Sequence, residues 1–361
     1  MVVLFMAIVI LIMILIILYV CNNLRKIILF NKINNKIISW VVSLIPIFLL
    51  FICFNNVNFI VIVIHLAIFI SIIKLFGFIY KKIIKKEITS NVLVLSAILL
   101  TVVYLGIGAY LDYHVFETRY EIVSDKDIWI DKFRIIQISD SHVGTTFDGK
   151  GFAKLMKNIS KIDTDIVVIT GDFVDDDTSK EDMIISCKAL GNLKTKYGVY
   201  FIYGNHDKGY FDYRNFKDKE LREELTKNNV VILSDEIVNL TDNISLVGRL
   251  DKTFVDRLSI DELTKDIDKK RYIIDLNHQP NDYVNEKEAG VDLVLSGHTH
   301  GGQLFPLGYI GLMMGANDMF YGIKKIDNTT FIVNTGLSDW AIDFKTGTKS
   351  EYVIIDILNK K

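Results

Sequence analysis

Seven histidines occur in the 361-residue chain, and five of them fall just past apolar runs of strand length, in the company of Asp, Asn and Gly. The run "IIQISDSHVG" brings Asp140 and His142, "VVITGDFVDD" brings Asp172 and Asp175, and "YFIYGNHD" brings Asn205 and His206. Further on, "IIDLNHQP" adds His278 and "VLSGHTHGG" adds His298 and His300. Carboxylate, amide and imidazole are the oxygen and nitrogen donors that suit manganese, iron or zinc. Each cluster alone is a weak signal: an Asp-Ser-His is equally a cap or turn, and "GNHD" or "GHTHGG" a Gly-assisted turn. Five of them ending apolar strands are harder to assign to turns, because unpaired polar groups near a core are costly. Thiolate chemistry is not indicated, since Cys21, Cys53 and Cys187 show neither ligand spacing nor a disulfide framework.

Strands at residues 133–139, 165–170, 198–203, 243–248, 271–276, 291–296, 329–334 and 351–357 must position these groups; they are rich in Val, Ile and Tyr and bounded by polar or Gly residues. Helix-like stretches at 150–160, 180–196, 216–229, 260–270 and 281–289 alternate with them. Early strands alternating with helices, followed by a strand-rich second half, predict an α/β fold, a sandwich of two mixed sheets with helices outside. Polar clusters at the carboxyl ends of strands are where open α/β sheets gather ligands.

The ordered set of motifs resembles the calcineurin-like metallophosphoesterases, particularly their bacterial membrane-anchored branch, over about Ile122 to Ile357. The resemblance implies a four-layer αββα sandwich and two divalent metal ions, manganese first, with iron or zinc as alternatives. It further implies that Asp140, His142 and His300 hold one ion and Asn205, His278 and His298 the other, with Asp172 bridging. His298 and His300 then serve different ions, the intervening Thr299 letting their side chains diverge. A water shared by the ions would attack the phosphoester. His206, held by Asp175, would protonate the leaving group. "NTGLSDW" resembles the family's Gly-Leu segment, but the arginine usual after it appears as Lys345, and the usual proline pair before a glutamate as Lys349 and Ser350. Lysine offers phosphate a point charge where arginine offers a fork, so substrate preference stays open. Trp340 is expected to pack, Gln303 to touch substrate or to brace a turn, and Asp176, Asp177 and Asp207 to be solvated or capping.

The remaining chain is of another kind. Residues 1–111 carry nine Lys and Arg and a single acid, Glu87, against 32 basic and 42 acidic side chains in the rest. Apolar runs at Val2–Val20, Ile37–Phe54, Val57–Tyr80 and Val92–Leu111 have the length of membrane-spanning helices. The first lacks a basic n-region and a small-residue cleavage site, so an uncleaved helix is expected rather than a signal peptide. Basic residues gather at 25–36 and 81–86 and are missing from the Asn55–Asn56 turn. With both basic loops cytoplasmic, everything past Leu111 is extracytoplasmic at the cell membrane. His65 reads as a neutral histidine satisfied by a neighbouring helix, and Lys74 as a snorkelling cation.

The expected organisation is a four-helix membrane region at 1–111, a connector at 112–120 and a phosphoesterase domain at 121–361. The expected activity is hydrolysis of a phosphodiester, pyrophosphate or phospholipid-like substrate, lipid or envelope-linked, beside the bilayer. An acidic catalytic half does not suit a nucleic-acid partner. Two alternatives stand beside it: a domain that keeps metals without turnover, and a sensor coupled to the helices.

Overall fold

Chain packing divides the protein into Met1–Ala109 and Tyr110–Lys361. The structure is a computed structural model that describes all residues except Met1, Ile28, Leu29, Asn31, Asp212 and Lys361.

The first unit holds α1 (Val2–Leu24), α2 (Lys36–Cys53), α3 (Asn56–Ile84) and most of α4 (Ser90–Tyr113). All four helices are long and apolar enough to cross a membrane. Asn55 caps α3 by accepting the Asn58 backbone N–H at 2.8 Å, and the side chains of Val20, Val63, Leu66, Ile70 and Val94 pack together within the unit. His65 is satisfied by its own helix rather than a neighbouring one, its Nδ1 lying 2.8 Å from the Val61 carbonyl. Lys74 places its ammonium 5.7 Å from the Tyr19 ring.

The second unit holds two six-stranded sheets. The first runs β1 (Val115–Val123), β12 (Ser350–Leu358), β2 (Lys132–Ile138), β3 (Ile166–Thr170), β4 (Val199–Ile202), β5 (Val230–Ile232). The second runs β10 (Gly322–Ile326), β11 (Thr329–Val333), β9 (Leu293–Ser296), β8 (Tyr272–Leu276), β7 (Ile244–Gly248), β6 (Glu236–Asn239). Both are mixed: β2 to β5 are parallel while β12 is antiparallel to β2, and β7, β8, β9 and β11 are parallel while β6 and β10 are antiparallel edges.

Period-two alternation of apolar side chains explains the layering. Ile135, Ile166 and Val168 of the first sheet meet Leu246, Ile274, Leu293 and Leu295 of the second in a core between the sheets. The intervening residues Ile136, Val167 and Ile169 face outward to helices α5 (Gly149–Ile159), α6 (Lys180–Gly191) and α7 (Asp218–Lys227). On the other side Val247, Ile273 and Val294 meet α8 (Ile260–Thr264) and α9 (Tyr283–Glu288). Strands apolar on both faces are what a sheet covered on both sides requires, and each such side chain contributes about 1.5–3 kcal/mol relative to exposure. Helix α5 shows the complementary pattern: Phe152, Met156 and Ile159 are buried on one stripe, and Asp148 caps it through the Gly151 N–H at 2.7 Å.

Four strands have no counterpart in the sequence reading, β1 and three others: β5, β6 and β10 are short edge elements with few buried residues, and β10 carries Lys324 and Lys325. Residues 112–120, expected as a connector, instead hold the end of α4 and most of β1, which pairs in parallel with β12 from Val115 to Val123. Helix α10 (Leu307–Met313) was also unexpected, because none of its residues is buried and so no amphipathic period marks it.

Candidate metal centre

Strands β2, β3 and β4 of one sheet and β8, β9 and β11 of the other deliver their following loops to one place. Asp140 and His142 follow β2, Asp172 follows β3, Asn205 and His206 follow β4, His278 follows β8, and His298 and His300 follow β9. The backbone turns sharply as soon as each strand ends. Asp140, His142, Asp172, His298 and His300 all adopt positive φ, between 35° and 70°. Non-glycine residues rarely sit there, and such strain clusters where a fixed side-chain constellation is needed. His298 and His300 diverge for this reason: each is left-handed, while Thr299 between them is right-handed at φ −84°.

Glycines make room for the carboxylates. A Cβ on Gly204 would sit 2.1 Å from Asp172 Oδ1, and one on Gly297 would sit 2.3 Å from Asp140 Oδ2.

Two triads result, each with its donor atoms within 4.8 Å of one another: Asp140, His142 and His300, and Asp172, His278 and His298. Asp172 links them, its Oδ2 standing 3.2 Å from His278 Nε2 and 3.9 Å from His142 Nε2. Asn205 joins the second, with Oδ1 3.1 Å from His278 Nε2 while its Nδ2 donates to the Tyr210 hydroxyl at 2.8 Å. Asp140 is held by the Ser139 hydroxyl and by the His298 backbone N–H, 3.0 Å from both oxygens.

The outer ring nitrogens are engaged as well. His142 Nδ1 lies 3.0 Å from Asp175 Oδ2, His278 Nδ1 lies 2.8 Å from the Thr170 carbonyl, and His300 Nδ1 lies 3.1 Å from the Ser338 carbonyl and 2.7 Å from Asp339 Oδ1. Each ring therefore turns Nε2 inward, as metal-ligating histidines do. His142 Nε2 is buried with no hydrogen-bond partner. An unpartnered ring nitrogen beside two carboxylates is a place that a cation, a proton or a metal ion, would satisfy, so these residues fit divalent ions.

Electrostatics point the same way. Burial works against charge on His142, but the Asp175 hydrogen bond and the Asp172 and Asp140 charges outweigh it and hold its pKa at about 9. Burial likewise opposes charge on His278, and Asp172 overrides it to give about 10. Asp172 is pushed up by burial and drawn down further by His278 and His142, ending well below the usual carboxylate range. Burial takes His298 down to about 3, with the charge of His278 adding to it, and takes His300 to about 3 against the pull of Asp140. The carboxylates thus demand positive charge, and protons supply it on two of the four rings.

Several expectations change. Asp175 does not hold His206; its Oδ2 bonds His142, and its Oδ1 accepts from the Asp177 N–H at 2.9 Å and the Thr178 hydroxyl at 3.3 Å. His206 is anchored through its backbone N–H to Asp172 Oδ1 at 2.8 Å, and its ring lies 5.1 Å from that of His142, 5.0 Å from Tyr210 and 6.0 Å from Trp340. Trp340 lines the cleft, 48% exposed, rather than packing in the core. Gln303 braces a turn, donating to the Ile342 carbonyl at 3.0 Å. Lys345 is fully buried, donating to the Thr335 carbonyl at 2.9 Å and lying 3.6 Å from Asp339, so it presents no charge to the cleft. Asp207 is not solvated: it is buried and accepts the N–H groups of Asp172, Phe173, Val174 and Gly204 at 2.7–3.1 Å, tying the β3 and β4 loops together. Asp339, which sequence reasoning missed, stands behind His300; only its place in "NTGLSDW" marked it.

Residues 133–302 match the family described as calcineurin-like phosphoesterase. A Helicobacter pylori (strain J99) protein named as an uncharacterized metallophosphoesterase is 31% identical over 248 residues, covering 66% of this chain and 64% of that protein. An Aquifex aeolicus protein of the same name is 29% identical over 268 residues, 72% of this chain and 98% of that one. The transmembrane protein with metallophosphoesterase domain of Danio rerio is 27% identical over 236 residues, 60% of this chain and 51% of that one. The chain therefore spans just under two thirds of the Helicobacter relative's length.

Proposed function

We propose that the chain, whose residues 133–302 match the calcineurin-like phosphoesterase family and include every candidate ligand, is a metal-dependent phosphoesterase anchored in a membrane. The observation that carries this reading is the pair of triads joined by Asp172, 3.2 Å from His278 and 3.9 Å from His142. On this reading Asp140, His142 and His300 hold one divalent ion, Asn205, His278 and His298 hold the second, and Asp172 bridges. Bound ions would supply Lewis acidity to the phosphoryl oxygens and an acidified water as nucleophile. Manganese is the first metal to supply, and the oxygen and nitrogen donor set also accepts iron or zinc.

The protein's own groups do the rest. Asp175, Ser338 and Thr170 fix the histidine rings, so that no reorientation is needed during reaction. His206 lies beside the centre with its pKa lowered by burial, an effect that the Asp172 charge only partly offsets. On this reading the ring is the group placed to pass a proton to the leaving oxygen, its acid form being drawn on more as pH falls. Residues 110–361 form the catalytic domain, and the Lys and Arg at 25–36 and 81–86 support a cytoplasmic place for those loops and an extracytoplasmic one for the domain. A degenerate, non-hydrolytic domain would lack a ligand or the acid, whereas this chain has each of them.

The test is hydrolysis of bis(4-nitrophenyl) phosphate by detergent-solubilised full-length protein supplied with manganese. His206→Asn is expected to lower kcat by about 10²–10⁴-fold while both ions stay bound. Activity that survives chelation contradicts the proposal.

A further inference from the structure

Residues 301–317, "GGQLFPLGYIGLMMGAN", contain no charged side chain, in a soluble unit otherwise dense in Asp, Glu, Lys and Arg. They run directly from His300 through α10, and in and beside that helix Phe305, Leu307, Tyr309, Ile310, Met313 and Met314 are all exposed, Met313 at 87% and Met314 at 79%. Leaving so many apolar side chains in water is unfavourable, and exposed apolar patches of this kind mark binding surfaces. The segment is held in place, not loose. Gly308 lies against the Phe320 ring, Tyr309 packs on Phe320 with ring centroids 5.0 Å apart, and the Phe305 N–H donates to Thr346 Oγ1 at 3.0 Å.

The inner side of the helix is continuous with the metal centre. One cleft of about 280 Å³ is lined by His298 and His300, by the uncharged polar side chains of Thr299, Gln303 and Asn317, and by Leu307, Leu312, Phe320 and Trp340. A molecule seated there presents one end to the candidate ligands and lays the other on hydrocarbon and aromatic surface. None of the residues lining the cleft is a Lys or Arg, and Lys345 is buried elsewhere, so the wall offers nothing to a second phosphate or a polyanionic head. The four helices are long and apolar enough to cross a bilayer, and on the membrane-anchored reading phosphoesters bearing hydrocarbon chains are the concentrated supply there.

We infer that the cleft between His298 and α10 is a hydrocarbon subsite, and that the substrate is an amphiphilic lipid phosphoester whose chain lies on Leu307, Leu312, Phe320 and Trp340. This rests on the phosphoesterase reading and narrows it to a substrate class.

The experiment compares two phosphodiesters with the same reacting group: 4-nitrophenyl methyl phosphate and 4-nitrophenyl dodecyl phosphate. Both are given to the solubilised full-length protein below their aggregation concentrations, with manganese. The dodecyl ester is expected to be favoured at least about tenfold in kcat/KM, which burial of only two methylenes accounts for. The double variant Leu307→Ser, Leu312→Ser, at two partly exposed positions where folding is not at stake, is expected to bring that ratio close to one. Leu307→Met, Leu312→Met should retain it. A wild-type ratio near one overturns the inference while leaving the phosphoesterase reading intact. So does a preference that the serine variant keeps, which would assign the chain to a detergent or protein contact elsewhere. Hydrolysis of neither ester overturns the phosphoesterase reading and this inference with it.

Discussion

Asp175 Oδ2 stands 3.0 Å from His142 Nδ1, and the opposite ring nitrogen of that histidine is buried, without a hydrogen-bond partner, 3.9 Å from Asp172. The carboxylate thereby selects the tautomer that leaves Nε2 free to bind metal. Asp175→Asn keeps a side chain of the same shape but can offer an N–H to Nδ1, favouring the wrong tautomer. Manganese affinity, measured by chelator competition, is expected to weaken about 10–100-fold. An unchanged affinity would show that Asp175 serves only its loop.

The convergence of the candidate ligands was legible because a His or Asp placed just past a buried strand has few bland explanations, and five such places recur in order. The sheets were legible for a similar reason: strands buried on both faces, such as β3, read as unbroken apolar runs. What stayed hidden depends on contacts between distant loops. The family resemblance joined Asp175 to His206, but side-chain direction gave it to His142. Asp207 looked like an ordinary acid of a turn until four backbone N–H groups converged on it. Lys345 stands where a substrate-facing cation was expected, yet a buried Asp339 draws it inward. Helix α10 lacks any buried stripe, so periodicity could not reveal it.

Gly204 tests how tightly the bridging carboxylate is placed. A methyl group there meets Asp172 Oδ1 at 2.1 Å, so Gly204→Ala must displace the carboxylate by more than an ångström or so. Misplacement of that order costs about 10²-fold in rate. Steady-state kinetics on the chromogenic diester should show that fall, and wild-type kcat/KM in the variant would mean that the loops relax freely.

Protons and metal ions compete for the same rings. In the metal-free protein His142 and His278 hold protons up to about pH 9 and 10, because nearby carboxylates outweigh burial. At neutral pH, metal binding must therefore expel about two protons per chain, and affinity rises with pH until those pKa values are passed. Calorimetry in buffers of different ionisation enthalpy reads the proton count directly. Binding without proton release would contradict the charge assignment.

The central claim is that one chain grips two cations across a shared carboxylate. Metal analysis of full-length protein purified without chelator and equilibrated with manganese tests it most directly. The expected result is about two ions per chain, falling to one or none in Asp172→Asn, whose neutral amide no longer bridges. A single ion or none in the wild-type protein, or two retained by Asp172→Asn, would contradict it.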